Sequence, residues 1–322
     1  MKAIIVSEFG GPEVMRAVEV PDPIAAPGEV VVRVRAAGVN PVDTYIRGGG
    51  YARLPVLPYT PGFDGAGEVE SIGSAVTEWQ PGDRVYIAAL GTSYGTYAER
   101  MVCTPQQIFR LAAPVSFAQG ASLGVPAATA HRALFGRAHA RGGETVLVHG
   151  ASGAVGIAAV QLAKAAGMRV IGTAGTANGR ALVLEQGADA VFDHHDPARL
   201  SAIKAVSDGR GPDVILEMLA NVNLDIDLGL LAPGGRVVVI GNRGRTEIDA
   251  RQTMGKELSI LGMSLWNVPP EDLQRIHAAL VSALATGALR PVVGREFPLD
   301  QAALAHLAVL EPGAIGKIVL IP

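Results

Sequence analysis

Ala151, Gly153 and Gly156 occupy the first, third and sixth places of a turn. It follows an apolar run at 145–149 and opens a helix-patterned run at 155–166. Residues in such a turn act through the backbone. Gly153 would let the main chain approach a pyrophosphate, and Gly156 would let the helix pack close on the strand. The helix N-terminus adds unpaired N–H groups and the positive end of its dipole. Ala151 departs from the strict three-glycine pattern, and Gly150 before it supplies the sharp turn. The pattern describes a dinucleotide site.

The segment 173–180, Thr-Ala-Gly-Thr-Ala-Asn-Gly-Arg, selects among dinucleotides. An NAD site carries Asp or Glu at the end of the second strand to hold the ribose 2′-OH, and none stands here. Arg180 and the amides around Gly175 would instead welcome a 2′-phosphate, and His194 after the third strand reaches toward the same pocket. The expected cofactor is NADPH rather than NADH. Ligands of such sheets lie at the carboxyl ends of the strands. Asn223 after the fourth strand and Gly241, Asn242 and Arg243 after the fifth would face the ribose and nicotinamide side. Met263, Ser264 and Leu265 after the sixth would offer backbone groups to the carboxamide.

A catalytic zinc needs about three converging Cys, His or carboxylate ligands. Cys103 is the single cysteine, which also excludes an internal disulfide framework, and no histidine precedes His131. Asp43 and Asp64 alone make a poor zinc site, so no metal is expected. Asp64 reads as a brace for the loop 62–67.

The elements that must position these residues fall into two groups. Up to about residue 121 the chain reads as strands and turns, with strands opening at Met1 and covering 30–35, 65–72 and 85–87. From 122 onward strands alternate with helices, the mark of a parallel sheet covered on both faces. Strands are expected at 145–149, 169–172, 190–192, 214–217, 236–240 and 259–262. Helices are expected at 122–134, broken or restarted at Pro126, and at 155–166, 179–186, 198–206, 228–231, 271–286 and 302–309. A strand at 316–320 ends the chain. The expected organisation is an α/β protein: a β-rich domain at 1–121 completed by about 290–322, and a cofactor domain at 122–289.

The 322 residues are 49% hydrophobic and 18% charged, with net charge −3. That composition supports two cores and makes a nucleic-acid partner unlikely. No run reaches the roughly 18 apolar residues of a membrane span, and the N-terminus lacks a signal-peptide pattern, so a cytoplasmic location is expected.

Taken together, EFGGPEV, GVNPVDTYIRGG, LPYTPGFDGAGEV, PGDRV, YAE, VLVHGASGAVG, GTAGT, EMLANVNL and GKIVL, in this order along the whole chain, resemble the zinc-independent, zeta-crystallin-type quinone oxidoreductases of the medium-chain dehydrogenase/reductase superfamily. The resemblance implies a GroES-like catalytic domain joined to a Rossmann domain, NADPH in the cleft, a small-molecule quinone or enone substrate, and a homodimer or homotetramer. It places cofactor contacts on Tyr45, Ser152, Gly153, Ala154, Val155, Gly175, His194, Asn223, Ile240, Gly241, Asn242, Arg243, Met263, Ser264 and Leu265. Asn40 stands where zinc-dependent relatives carry a ligand cysteine, and Phe63-Asp64 where they carry His-Glu. Some relatives have tyrosines where this chain has Ala127 and His131, which bears on substrate range.

The expected chemistry is hydride transfer to a quinone or enone, with Asn40 and Tyr45 as donors to the oxygen that gains charge. Tyr45 is expected to orient rather than to give up a proton, since a phenol pKa is normally near 10. Two other readings stay open: reduction of 2-alkenals or enoyl thioesters, and an NADPH-binding redox sensor or structural protein without turnover.

Overall fold

The computed structural model describes residues 1–90 and 95–322. Its strands, in chain order, are β1 (Lys2–Val6), β2 (Met15–Glu19), β3 (Val30–Val39), β4 (Asp64–Ile72), β5 (Arg84–Ala88), β6 (Arg100–Cys103), β7 (Ile108–Arg110), β8 (Thr145–Val148), β9 (Arg169–Ala174), β10 (Ala190–Asp193), β11 (Val214–Glu217), β12 (Arg236–Val239), β13 (Ser259–Gly262), β14 (Val293–Pro298) and β15 (Lys317–Ile321). Four helices carry the site: α1 (Pro41–Arg47), α2 (Ala154–Ala165), α3 (Ala177–Glu185) and α4 (Ala220–Leu230).

β8 to β13 form a parallel sheet in the order β10-β9-β8-β11-β12-β13. The order reverses between β8 and β11, so the crevice at their carboxyl ends is the topological switch point. These strands read as unbroken apolar runs because both faces are covered. Val146 and Val148 pack toward Ala159, Val160 and Ala163 of α2. Leu147, Ile171 and Ile215 pack on the opposite side with Leu224 and Leu228 of α4.

The other large sheet runs β14-β15-β3-β4-β5-β7, with β6 also pairing β3. The last strand therefore returns to the first half of the chain: Ile318, Val319 and Leu320 pair antiparallel with Val39, Gly38 and Ala37. β3 extends past the expected 30–35 because its alternation stops at Ala36, beyond which every residue to Val39 is buried. Gly38 has no room for a side chain: a Cβ there would lie 2.1 Å from the Ala121 carbonyl oxygen and 2.6 Å from Lys317 Cε.

The connection between the halves is a helical stretch with widened turns. Pro126 has no N–H to give, and Ala128 N–H bonds back to Leu123 O, five residues earlier. Cys103 lies buried in β6, and burial pushes its thiol pKa up, the opposite of an activated nucleophile.

Candidate active site

The phosphate turn is built as its residue types require. Gly150 adopts a left-handed φ of 57°. Ala151 N–H then reaches Thr173 O at 2.8 Å, which ties the turn to β9. A Cβ on Gly156 would lie 2.5 Å from both Ala151 Cα and Gly150 O, so the helix seats here only with glycine. Gly153 is not crowded: its nearest neighbours to a Cβ would be Gly150 O at 3.5 Å and Ala314 Cβ at 3.9 Å. Its value is the open approach to the start of α2, where the first N–H groups of Ala154, Val155 and Gly156 have no helical acceptor. Ser152 closes the turn from the other side, with Oγ donating to Ala314 O at 2.7 Å. Gly316 N–H donates to Ser152 O at 2.8 Å.

β9 ends at Ala174, and Thr176 caps α3 by accepting from Gly179 N–H at 3.0 Å. A Cβ on Gly175 would fall 2.6 Å from His194 Nε2, so the imidazole lies directly over this glycine. His194 and His195 meet Nε2 to Nε2 at 3.1 Å. Burial, then the neighbouring His195, holds His194 below the ordinary histidine pKa. Arg180 is not the free cation the sequence suggested. Its Nη1 bonds Asp193 Oδ2 at 2.6 Å, and Asp193 Oδ1 accepts from His195 N–H at 2.9 Å. The carboxylate missing from the second strand thus stands at the end of the third.

On the other side of the switch point, Gly241 is required because a Cβ would lie 2.2 Å from Met218 O. Ile240 N–H donates to Glu217 O, and Arg243 N–H to Asn221 Oδ1. Asn242 Nδ2 donates to Gly244 O at 2.6 Å. Met263 N–H bonds Val239 O, and the chain turns through Ser264 to a buried Leu265.

Asn223 leads to a buried cluster that sequence reasoning missed. Its Nδ2 donates at 3.2 Å to Glu217 Oε1, which also accepts from Leu219 N–H. Glu217 Oε2 lies 3.5 Å and Asp227 Oδ1 2.9 Å from His149 Nε2, while His149 Nδ1 meets Thr173 Oγ1 at 3.1 Å. Glu217 and Asp227 also face each other side chain to side chain, two carboxyls too close for both to carry charge. Burial raises both carboxyl pKa values to about 7. Burial also lowers the pKa of His149, leaving a neutral imidazole. The only signal in the sequence is polar residues at apolar positions: a histidine ending a strand and an aspartate inside a helix.

The structure brings Asn40 together with Asp64 and Lys317 rather than leaving it free in a loop. Asn40 N-caps α1, and the Asp43 carboxylate reaches back to its N–H at 2.8 Å. Its side chain is turned elsewhere: Nδ2 donates to Asp64 Oδ2 at 2.9 Å and Oδ1 accepts from Lys317 Nζ at 2.5 Å. Lys317 also pairs with Asp64 Oδ2 at 2.8 Å. Asp64 is not the brace of the loop 62–67 that was expected: its Oδ2 holds Asn40 and Lys317, and its Oδ1 accepts from Val125 N–H at 2.6 Å in the stretch that joins the halves. Burial raises the Asp43 pKa to about 7, against the pull of the Lys317 charge. Tyr45 is half-buried on α1, and its hydroxyl makes no hydrogen bond among the described residues.

Phe63 packs edge-on against Trp266 with centroids 5.5 Å apart, Tyr51 lies 6.4 Å from the same ring, and the Arg53 guanidinium sits 5.7 Å from it. This aromatic wall joins the two halves beside residues 263–265. Ala127 is buried against the cofactor domain, and His131 packs edge-on against Phe135.

A doubly wound sheet with a glycine turn at its switch point, docked on a β-rich domain that supplies polar residues to the cleft, defines a medium-chain dehydrogenase/reductase. Residues 26–113 match the alcohol dehydrogenase GroES-like domain and residues 154–282 the zinc-binding dehydrogenase family. The quinone oxidoreductase of Lama guanicoe is 48% identical over 323 residues, covering 100% of this chain and 97% of the relative. A solved NAD-dependent alcohol dehydrogenase superposes with a TM-score of 0.93 at 28% identity, covering 100% of both chains. The Escherichia coli quinone oxidoreductase complexed with NADPH gives 0.87 at 30%, also covering 100% of both. The chain belongs to the quinone oxidoreductase family, and it is an enzyme of the oxidoreductase class.

Zinc does not fit the catalytic half. Between Asn40 and Asp64 lies the Lys317 ammonium, a cation that would repel a metal, and Phe63 offers no ligand atom. Among the described residues, the one His/carboxylate group with metal-like spacing is His149, Glu217 and Asp227, behind the switch point.

Proposed function

We propose that this chain is an NADPH-dependent quinone reductase that works without a metal. The observation that carries the reading is the pairing of a complete phosphate turn with a second strand that ends without a carboxylate, under the His194 ring. Two relatives support it: the Lama guanicoe protein is a quinone oxidoreductase, and the Escherichia coli quinone oxidoreductase is solved with NADPH.

Residues 152–156 would hold the pyrophosphate on the start of α2. Gly175 and His194 would take the 2′-phosphate, joined by Arg180 when it leaves Asp193. Tyr45, Asn223, Ile240 to Arg243 and Met263 to Leu265 would border the ribose and nicotinamide. The bound nicotinamide supplies a hydride. Asn40 donates an N–H to the acceptor oxygen as charge arrives, and Tyr45 orients the reacting ring. A quinone spreads the incoming charge over its ring, so a hydrogen-bond donor suffices where a simple ketone would need a proton donor or a Lewis acid. The wall of Phe63, Tyr51 and Trp266 suits a flat aromatic acceptor.

β13 is an edge strand with Ser259, Ile260 and Gly262 exposed, and we take it as the surface on which two copies meet. Among the described residues, no helix is long and apolar enough to cross a membrane.

Steady-state assays with NADPH and NADH against quinones, enones and 2-alkenals test the reading. Oxidation of NADPH by quinones, with weaker use of NADH, is expected. Turnover confined to alkenals or enoyl thioesters, or tight NADPH binding with no turnover on any acceptor, would replace it.

A further inference from the structure

Lys317 is 2% exposed, and its ammonium lies against Asp64, 0% exposed, and Asn40, 4% exposed. Burying a lysine is costly unless charge and hydrogen bonds are both met. The count of donors and acceptors here is specific. Asn40 Oδ1 is taken by Lys317, and one Nδ2 hydrogen goes to Asp64. Among the described residues, the other Nδ2 hydrogen has no acceptor. A side-chain amide has two nearly isosteric orientations, and its partners choose between them. An ammonium on the oxygen and a carboxylate on the nitrogen fix this one. The amide can therefore meet an incoming group only as a donor.

The same lysine follows Gly316, whose N–H is bonded to Ser152 in the phosphate turn, and it begins the strand that pairs with Val39 next to Asn40. The lysine thus ties the cofactor turn to the amide.

We propose that Lys317 is the positioning residue of the reductive step: its ammonium locks Asn40 in the orientation that presents Nδ2 to the acceptor oxygen. The inference rests on the quinone-reductase reading above. In the reaction, NADPH would lose one hydride, two electrons and a proton, to the quinone, leaving NADP⁺ and a hydroquinone monoanion, and a proton from water completes the hydroquinone. The new negative charge is on oxygen, where a flipped amide would place its own oxygen and repel it. Where zinc-dependent relatives use a metal cation, this chain uses an internal ammonium acting through an amide.

The test compares wild type, Lys317→Met and the double variant Lys317→Met/Asp64→Leu. The double variant removes both charges, so no buried carboxylate is left unpaired. Both are expected to lower kcat about 10²- to 10³-fold, the cost of an oxyanion donor, with KM for NADPH within a few-fold. The loss should grow as the hydroquinone anion becomes more basic. In the cofactor-free protein, the two Asn40 Nδ2 proton resonances should be well separated in wild type and draw together in the double variant. Wild-type turnover in the folded double variant, or unmoved Asn40 resonances, overturns the assignment. Silence of the wild type toward every quinone overturns the quinone-reductase reading and this inference with it.

Discussion

His149 Nε2 lies 2.9 Å from Asp227 Oδ1, inside the sheet at the point where strand order reverses. Glu217 completes the group, and burial raises both carboxyl pKa values to about 7. A carboxyl raised above its unfolded value contributes stability in full below the unfolded pKa, near 4.5 for glutamate. That contribution is lost as pH rises through the folded value. Glu217→Gln keeps an acceptor for Leu219 and Asn223 and removes the charge. It should be more stable than wild type by about 1 to 3 kcal/mol at pH 8 and lose the advantage at pH 5. Chemical denaturation at the two pH values checks this, and equal differences at both would contradict it.

Gly156 faces backbone atoms, which cannot swing away as a side-chain tip would. Gly156→Ala is expected to destabilise the protein by about 1 to 3 kcal/mol, the cost of overpacking, and to weaken NADPH binding at least tenfold by lifting α2 off the turn. Thermal unfolding and a fluorescence titration report the two effects separately.

Asp193 pairs with Arg180 at 2.6 Å, and in the proposed site it would compete with a cofactor phosphate for the guanidinium. Asp193→Asn frees the guanidinium and removes a nearby negative charge. The ratio of NADPH to NADH affinity should rise about 3- to 10-fold, a modest gain because the pair is solvent-screened. Arg180→Ala should lower the same ratio, and no change in either variant would remove Arg180 from the cofactor pocket.

Trp266 holds the aromatic wall together through Phe63, Tyr51 and Arg53. Trp266→Ala should raise KM for a naphthoquinone about 5- to 10-fold, roughly 1 kcal/mol of ring contact, and change KM for benzoquinone less. Equal effects on the two substrates would place the acceptor elsewhere.

The parallel sheet was legible because each strand is a short apolar run between turn signals. β11 and β13 fall on the expected residues, and β8, β9, β10 and β12 differ only by one or two residues at an end. Gly167, at φ 77°, lies just past the cap of α2, the left-handed position where a glycine stops a helix. The helix at 220–230 showed only its last turn, since Asn221, Asn223, Asp225 and Asp227 interrupt its apolar spacing. Asp227 is buried because its partner His149 stands just past the end of β8, far away in sequence, and periodicity carries no information about partners. β2, β6, β7, β14 and α1 escaped for a related reason: they are short, and pairing rather than propensity makes them. The glycine turn could be read locally. The environment of Asn40 could not, because its partners are 24 and 277 positions away.

The clasp of Ala314 and Gly316 on Ser152 has a consequence for biosynthesis. All six strands of the parallel sheet are translated before these contacts can form, and Lys317 follows every one of them. A chain synthesised only to residue 312 would therefore have every strand of its parallel sheet but an unfinished version of the proposed reaction centre, so reduction of a substrate waits on the segment 314–317.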